Sequence, residues 1–156
     1  MQVYRSNVYK KDIQFVSFRS ALQRMAPEWR DYCELASLHS VSKGILGECG
    51  LRGGYLYLHN IAPNVVEQMS KVKAMHMSPN SVGQCMVEMM VNPPLEGVSD
   101  VTKHQYQREA SSLFESLKMR AAMVSRVLSE MRNVSVQEVQ GGMYAFPRLL
   151  LPERAI

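Results

Sequence analysis

The strongest constraint on the fold is a set of apolar residues that recurs at steps of three and four. Its members are Tyr106, Ala110, Leu113, Leu117, Ala121, Val124, Leu128 and Met131. Such steps place every member on one side of an α-helix, so the sequence predicts one long amphipathic helix with a single packed face. A coiled coil would also show an apolar stripe, but the polar side lacks regularly spaced opposite charges. We therefore expect this helix to pack on a sheet.

The residues before this helix predict alternating strands and helices. Short apolar or alternating runs indicate strands over 33–38 and 55–60, and the first is expected to be a buried strand of the α/β type. A strand end running into a loop is expected over 3–9. Helical spacing predicts three helices, over 15–25, 62–77 and 81–91. Pro27 is expected to end the first, and Pro63 lies in the first turn of the second.

The stretch VNPPLEGVSD, residues 91–100, is the best candidate for a domain boundary because it is rich in proline, glycine and polar residues. It predicts a first domain over 1–92, a linker over 93–100 and a second domain over 101–156. In the second domain, alternating valines after the long helix predict a strand, Gly141-Gly142 a turn, and the run MYAFPRLLL a second strand.

Composition and charge narrow the class of protein. The net charge of +4 comes from scattered lysines and arginines without interleaved aromatic residues, so a nucleic-acid partner is not expected. No apolar run reaches the roughly 18–20 residues of a membrane span, and the polar N-terminal residues lack the apolar core of a signal peptide. The three cysteines form no CxxC pair, and cysteines and histidines lack zinc-ligand spacing. We expect reduced thiols, no metal and a cytoplasmic location, with the mitochondrial matrix as the alternative.

Residues 39–54 form a serine- and glycine-rich loop between the two predicted strands. Its glycines recur every third residue, but the run is short and lacks the prolines of collagen. A Walker A loop needs glycine before the lysine and Ser or Thr after it, whereas Ser42 precedes Lys43 and Gly44 follows it. A GxGxxG motif is absent as well.

The same loop carries the side chains that a phosphorylated aldehyde needs. Serine hydroxyls, backbone amides near glycine and the bidentate guanidinium of Arg52 suit a phosphate dianion. A lysine beside other positive charge and partly desolvated becomes a nucleophile towards aldehydes, which is the task we consider for Lys43. Together these groups indicate a site for pyridoxal phosphate. The alternative is a flexible surface loop with an ordinary solvated lysine.

Four motifs resemble the alanine aminotransferases, a subgroup of the fold-type I, class I/II aminotransferases. The first is Ser-x-Ser-Lys-Gly followed by Gly-Glu-Cys-Gly-x-Arg-Gly-Gly-Tyr, which resembles the cofactor-lysine segment. The others are Val3-Tyr4 with Asn7-Val8-Tyr9, then Val91-Asn92-Pro93-Pro94, and Gly141 to Arg148 with the sequence GGMYAFPR. The resemblance implies a partial α/β fold: part of the large cofactor-binding domain and the start of the small α+β domain.

The resemblance also assigns roles to individual residues. Lys43 would bind the cofactor covalently and later move a proton between the substrate Cα and the cofactor C4′. Ser40 and Arg52 would hold the phosphate, with Ser42 as a further ligand. Tyr4 would hydrogen-bond the phenolic oxygen of the cofactor; the alternative is a tyrosine packed at a strand end. Cys49 has no histidine partner nearby and is not expected to be a nucleophile.

The sequence departs from the family at a position that matters for catalysis, because Met1 stands where the family has its pyridine-binding aspartate. The resemblance places the arginine that clamps the substrate carboxylate beyond Ile156, so Arg148 is expected to be a surface or strand-edge arginine. We therefore expect a fragment or truncated form of an alanine aminotransferase-like enzyme, acting on L-alanine and 2-oxoglutarate, with a homodimer as the family's assembly. The alternative is a non-catalytic remnant or an interaction fragment that pairs with a full-length subunit.

Overall fold

The computed structural model describes residues 2–93, 95–152 and 154. The chain forms two compact units. The first comprises Met1–Val3 and Phe15–Pro94, and the second comprises Tyr4–Gln14 and Leu95–Ile156. The second division point lies within the predicted linker. Residues 4–14, however, lie in the second unit, although the predicted first domain, 1–92, includes them.

The first unit contains a two-stranded antiparallel sheet. Strand β1 spans Leu35–Ser40 and strand β2 spans Gly54–His59. The register pairs Leu35 with His59 at one end and Ser40 with Gly54 at the other. Both predicted strands are confirmed, with boundaries shifted by one or two residues. Because the ladder runs to Ser40 and Gly54, the loop between the strands is closed at its base.

The prediction that β1 is a buried strand is wrong for the described part of the chain. Ser37 is the buried residue of β1, and Leu38 keeps 46% of its surface exposed. A strand is buried on both faces only when further layers cover them. Among the described residues of the first unit, the order of that sheet is β1-β2, and Gln2 adds one backbone hydrogen bond to the carbonyl of Leu38.

The described residues of the first unit also form four helices. They are α1 (Phe18–Gln23), α2 (Pro27–Arg30), α3 (Pro63–Ala74) and α4 (Ser81–Val91). Ser17 caps α1 by accepting from the amide of Ser20, and Pro63 opens α3 as predicted. The three predicted helices are therefore confirmed. Pro27 does more than end the first of them, because it also begins the short helix α2.

The second unit is built on the predicted long helix. Helix α5 spans Asp100–Glu130, and Ser99 caps it by accepting from the amide of Thr102. The side chain of Ser125 on this helix accepts a hydrogen bond from the amide of Val139 at 3.0 Å. The ring centroid of Phe114 lies 5.8 Å from that of Tyr9. The helix thus packs against other segments of its own unit, one from the start of the chain and one that follows the helix.

The strands of the second unit are shorter than the sequence predicts. Strand β3 spans Val134–Ser135 and strand β4 spans Arg148–Leu149, and the two pair antiparallel. The expected strand end over 3–9 is a turn followed by a single bridge between Val8 and Gly141. The hydroxyl of Tyr9 donates to the carbonyl of Gly142 at 2.6 Å, which ties this segment to the glycine turn.

In the part of each unit that the structure describes, only a few side chains are buried. Among the described residues, the buried hydrophobic ones are Val3, Tyr9, Leu22 and Val41. Large apolar side chains such as Trp29 are exposed. None of the helices among the described residues combines the length and the apolar character that a membrane span requires.

Candidate functional site

The loop between β1 and β2 is anchored at its base by Ser40 and Val41. The hydroxyl of Ser40 donates to the carbonyl oxygen of Gly53 at 3.3 Å and accepts from the amide of Ser42 at 3.1 Å. Val41 is completely buried, its amide also donates to Gly53, and its carbonyl accepts from the amide of Glu48. These bonds fix the start and the end of the loop against each other.

Lys43 lies at the turn that follows this anchor. The carbonyl of Lys43 accepts from the amide of Gly47 at 3.4 Å. Gly44 and Gly47 have φ angles of 71° and 62°, which a residue with a side chain adopts only at a cost. The Lys43 side chain is exposed, so the partial desolvation that the sequence analysis expects is not provided by the described residues.

Arg52 ends the 3₁₀ turn Cys49–Leu51 with a left-handed backbone, φ 54° and ψ 41°. This conformation is unfavourable for a residue other than glycine and costs on the order of 1–3 kcal/mol. Its guanidinium Nη1 donates to the carbonyl oxygen of Cys49 at 3.0 Å, and the side chain is exposed. The arginine therefore folds over its own turn and remains accessible to a ligand.

Ser42 and Cys49 connect the two halves of the loop. The Cys49 thiol donates to the carbonyl oxygen of Ser42 at 2.8 Å. Ser42 directly precedes Lys43, and the carbonyl of Cys49 accepts a hydrogen bond from Arg52. The contact between Cys49 and Ser42 therefore joins the lysine turn to the arginine turn.

Helix α4 supports the arginine turn from outside the loop. The side chain of Asn80 donates to the carbonyl of Leu51, and the backbone of Gly83 lies against Leu51 and Gly53. A cleft of about 340 Å³ lies between these elements, with Arg52 among its lining residues. Neither Asn80 nor Gly83 is among the site residues predicted from the sequence. The available signal was local: an asparagine directly before a helix and a glycine inside its first turn.

Tyr4 lies in the second unit and is half-buried there. Its hydroxyl donates to the hydroxyl of Tyr144 at 3.2 Å, and the two rings meet edge to face with centroids 5.6 Å apart. Tyr144 belongs to the MYAFPR motif, so two of the four motifs meet in this contact. Arg148, which the sequence analysis expects at a strand edge, lies in β4 and is exposed. Met1 lies outside the described residues.

Two comparisons with known proteins find similarity to alanine aminotransferases, one in sequence and one in fold. The backbone superposes on the solved alanine aminotransferase of Pyrococcus furiosus with a TM-score of 0.74 over 97% of this chain and 33% of that one, at 19% identity. The "Alanine aminotransferase 2-like" protein of Danio rerio is 39% identical over 155 residues, which are 99% of this chain and 28% of that protein. The chain is similar to alanine aminotransferases over nearly its whole length. No protein-family model matches it.

The match to the aminotransferases also includes a protein with a different name. Glutamate–glyoxylate aminotransferase 1 of Arabidopsis thaliana is 38% identical over 155 residues, which are 99% of this chain and 32% of that protein. The chain thus spans about 30% of the length of the curated relatives it matches. The predicted resemblance is confirmed, and so is the partial α/β fold of an aminotransferase.

The residues of the loop suit the cofactor that an aminotransferase uses. The loop brings together two hydroxyls, an ammonium group and a guanidinium, which match a phosphate and an aldehyde in charge and chemistry. Among the described residues, neither Lys43 nor Arg52 forms an ion pair. The hydroxyl of Ser40 already donates to Gly53, so phosphate binding would exchange this carbonyl for a phosphate oxygen.

Proposed function

We propose that this chain carries the cofactor-lysine loop of a pyridoxal phosphate-dependent aminotransferase. The observation that supports this most directly is the loop between β1 and β2. One closed loop holds Ser40, Ser42, Lys43 and Arg52, and a buried valine anchors it. The identity of 38–39% to aminotransferases over 99% of the chain supports the same proposal.

Each of these residues has a task in the proposal. Ser40 and Arg52 bind the phosphate through a hydroxyl and a charge-assisted bidentate contact, with Ser42 as a further ligand. Lys43 would hold the cofactor through its amine and would serve as the base that moves a proton at the substrate Cα. Tyr4 donates a hydrogen bond to the phenolic oxygen. When bound, pyridoxal phosphate supplies the aldehyde and the electron-withdrawing ring needed for amino-group transfer.

The proposed substrates are L-alanine and 2-oxoglutarate, with pyruvate and L-glutamate as products. The names of the relatives support this choice, although one of them is named for glutamate and glyoxylate. A homodimer, a cytoplasmic or mitochondrial location and the absence of a nucleic-acid or membrane partner belong to the same proposal.

A second candidate is a non-catalytic chain that pairs with a full-length aminotransferase subunit. The exposure of Lys43 favours it, because a catalytic lysine needs a more desolvated surrounding than the described residues provide. The methionine three residues before Tyr4 favours it as well, since a methionine cannot stabilise a protonated pyridine nitrogen.

Covalent cofactor binding is the first test. The purified chain is incubated with pyridoxal phosphate, reduced with borohydride and mapped by peptide mass spectrometry. We expect the label on Lys43 and its loss in Lys43→Ala. Lys71→Ala is the matched control, because Lys71 is an exposed lysine on α3 that pairs with Glu67. Equal labelling of several surface lysines, unchanged in Lys43→Ala, would overturn the proposal.

Turnover separates the two candidates. A coupled alanine–2-oxoglutarate assay is run on the chain alone, and again with an added full-length alanine aminotransferase subunit whose own cofactor lysine has been replaced. Turnover by the chain alone that is lost in Lys43→Ala supports the catalytic candidate. Lys43-dependent turnover confined to the mixture supports the pairing candidate.

A further inference from the structure

The side chain of Asn80 makes two hydrogen bonds to two different parts of the first unit. Its Oδ1 accepts from the amide of Val82 at 3.1 Å and so caps helix α4. Its Nδ2 donates to the carbonyl oxygen of Leu51 at 2.8 Å. One amide group therefore joins the beginning of α4 to the residue that directly precedes Arg52.

Gly83 makes the same connection through its backbone. A Cβ on Gly83 would lie 2.7 Å from the carbonyl oxygen of Leu51 and 3.1 Å from that of Arg52. On the loop side, a Cβ on Gly53 would clash with the Gly83 carbonyl. The lack of side chains at both glycines lets the helix approach the arginine turn closely enough for the Asn80 bond to form.

The arginine turn needs such support because Arg52 has a left-handed backbone. A residue other than glycine stays in this conformation only where its surroundings hold it. If the turn relaxed, the guanidinium would leave its position over the Cys49 carbonyl and point elsewhere. The contacts of α4 with Leu51 and Gly53 fix the backbone on both sides of Arg52.

We propose that Asn80 is a positioning residue that holds Arg52 ready for the phosphate of the cofactor. This inference rests on the proposed function and adds to it a group that touches neither cofactor nor substrate. It predicts that Asn80 affects binding of the phosphate and leaves binding of the pyridine ring and aldehyde unchanged.

Two substitutions separate positioning from helix capping. Asn80→Asp keeps the acceptor that caps α4 but replaces the donor to Leu51 with an oxygen. Asn80→Ser keeps a capping hydroxyl, carries no charge, and is too short to reach Leu51 in the same geometry. If both variants weaken cofactor binding to the same extent, charge repulsion by the new aspartate is excluded as the cause of the weakening. Far-UV circular dichroism establishes that both variants retain their helices.

The measurement is the ratio of two dissociation constants, for pyridoxal phosphate and for pyridoxal, which lacks the phosphate. We expect both variants to weaken pyridoxal phosphate binding about tenfold, the loss expected for one hydrogen bond to a strained turn. Pyridoxal binding should stay unchanged. In an Arg52→Ala background, the Asn80 substitutions should have no further effect on the ratio, since the group that they position is gone.

The possible failures are distinguishable. An unchanged ratio in both Asn80 variants, with Lys43-dependent binding intact in the unsubstituted chain, overturns the inference alone. A tenfold loss that persists in the Arg52→Ala background also overturns it, because Asn80 would then act without Arg52. Absence of Lys43-dependent binding in the unsubstituted chain overturns the proposed function and this inference together.

Discussion

The backbone of Gly83 lies directly against the carbonyl of Leu51, and a Cβ on Gly83 would stand 2.7 Å from that oxygen. A Cβ carbon does not approach a backbone oxygen so closely, so the two segments meet in this way only because position 83 lacks a side chain. This approach places the first turn of α4 beside the turn that carries Arg52.

Substitution Gly83→Ala tests that contact. Alanine normally stabilises a helix interior by roughly 0.5–1 kcal/mol over glycine. Here we expect a net loss of about 1–3 kcal/mol in the free energy of unfolding, because the new methyl group displaces the Leu51 backbone. Urea denaturation followed by circular dichroism measures it. The control is Gly50→Ala, since a Cβ on Gly50 would have no atom within 4 Å. Equal free energies of unfolding for the two variants would contradict the prediction.

Because Arg52 has a left-handed backbone, we expect its replacement by glycine to favour stability while it weakens cofactor binding. Arg52→Gly should raise the free energy of unfolding by about 1 kcal/mol relative to Arg52→Ala, because glycine adopts φ 54° without strain. Both variants should lose pyridoxal phosphate affinity roughly 10- to 100-fold, the size of a charge-assisted hydrogen bond. Denaturant titration and cofactor titration measure the two effects. Retained affinity in either variant would remove Arg52 from the phosphate site.

Asn7 is completely buried in the second unit, and neither polar atom of its side chain has a hydrogen-bond partner among the described residues. An unsatisfied buried amide costs on the order of 1–3 kcal/mol. We therefore expect Asn7→Leu, which has a similar shape, to leave stability unchanged or to increase it. Thermal unfolding measures the change. A clear loss of stability would show that the Asn7 amide has a polar partner in solution, such as a buried water.

The ion pair between Lys10 and Glu138 predicts a pH dependence at the alkaline end. The hydrogen bond to Glu138, followed by the charges of Glu138 and Asp12, raises the pKa of Lys10 above its ordinary value of 10.5. The stabilising effect is therefore full below about pH 10.5 and is lost as the pH rises through the raised pKa.

Glu138→Gln should lower the pKa of Lys10 towards its ordinary value, and NMR titration of the lysine side chain measures this directly. The stability difference between Glu138→Gln and the unsubstituted chain should narrow above about pH 10.5. A Lys10 titration curve that is identical in both proteins would show that the pair does not form in solution.

Local patterns in the sequence predict most of the secondary structure. The apolar steps from Tyr106 to Met131 predict α5 because helical periodicity depends only on residues three and four apart. The alternation of side-chain types around Tyr55 predicts β2, because the two-residue period of a strand also depends only on near neighbours. The side-chain types of the loop predict a site for a phosphate and an aldehyde, since the donors lie within one short segment.

Long-range contacts account for what the patterns miss. Tyr4 and the residues up to Gln14 lie in the second unit because Val8 bridges Gly141, a pairing that no local pattern contains. The exposure of Leu38 depends on whether another layer of the fold covers its strand. The apolar sequence of the strand does not determine whether such a layer is present. The short lengths of β3 and β4 depend in the same way on how far the two segments stay adjacent.

Neighbours along the chain are sufficient to predict helices α1, α3, α4 and α5, the strands of the first unit and the chemical groups of the loop between β1 and β2. The support of Arg52, in contrast, depends on tertiary contacts. Asn80 and Leu51 are 29 residues apart, and their hydrogen bond forms because two glycines let helix α4 approach the loop. The physical reason is steric: a close backbone approach depends on which segments meet, and periodicity carries no information about that.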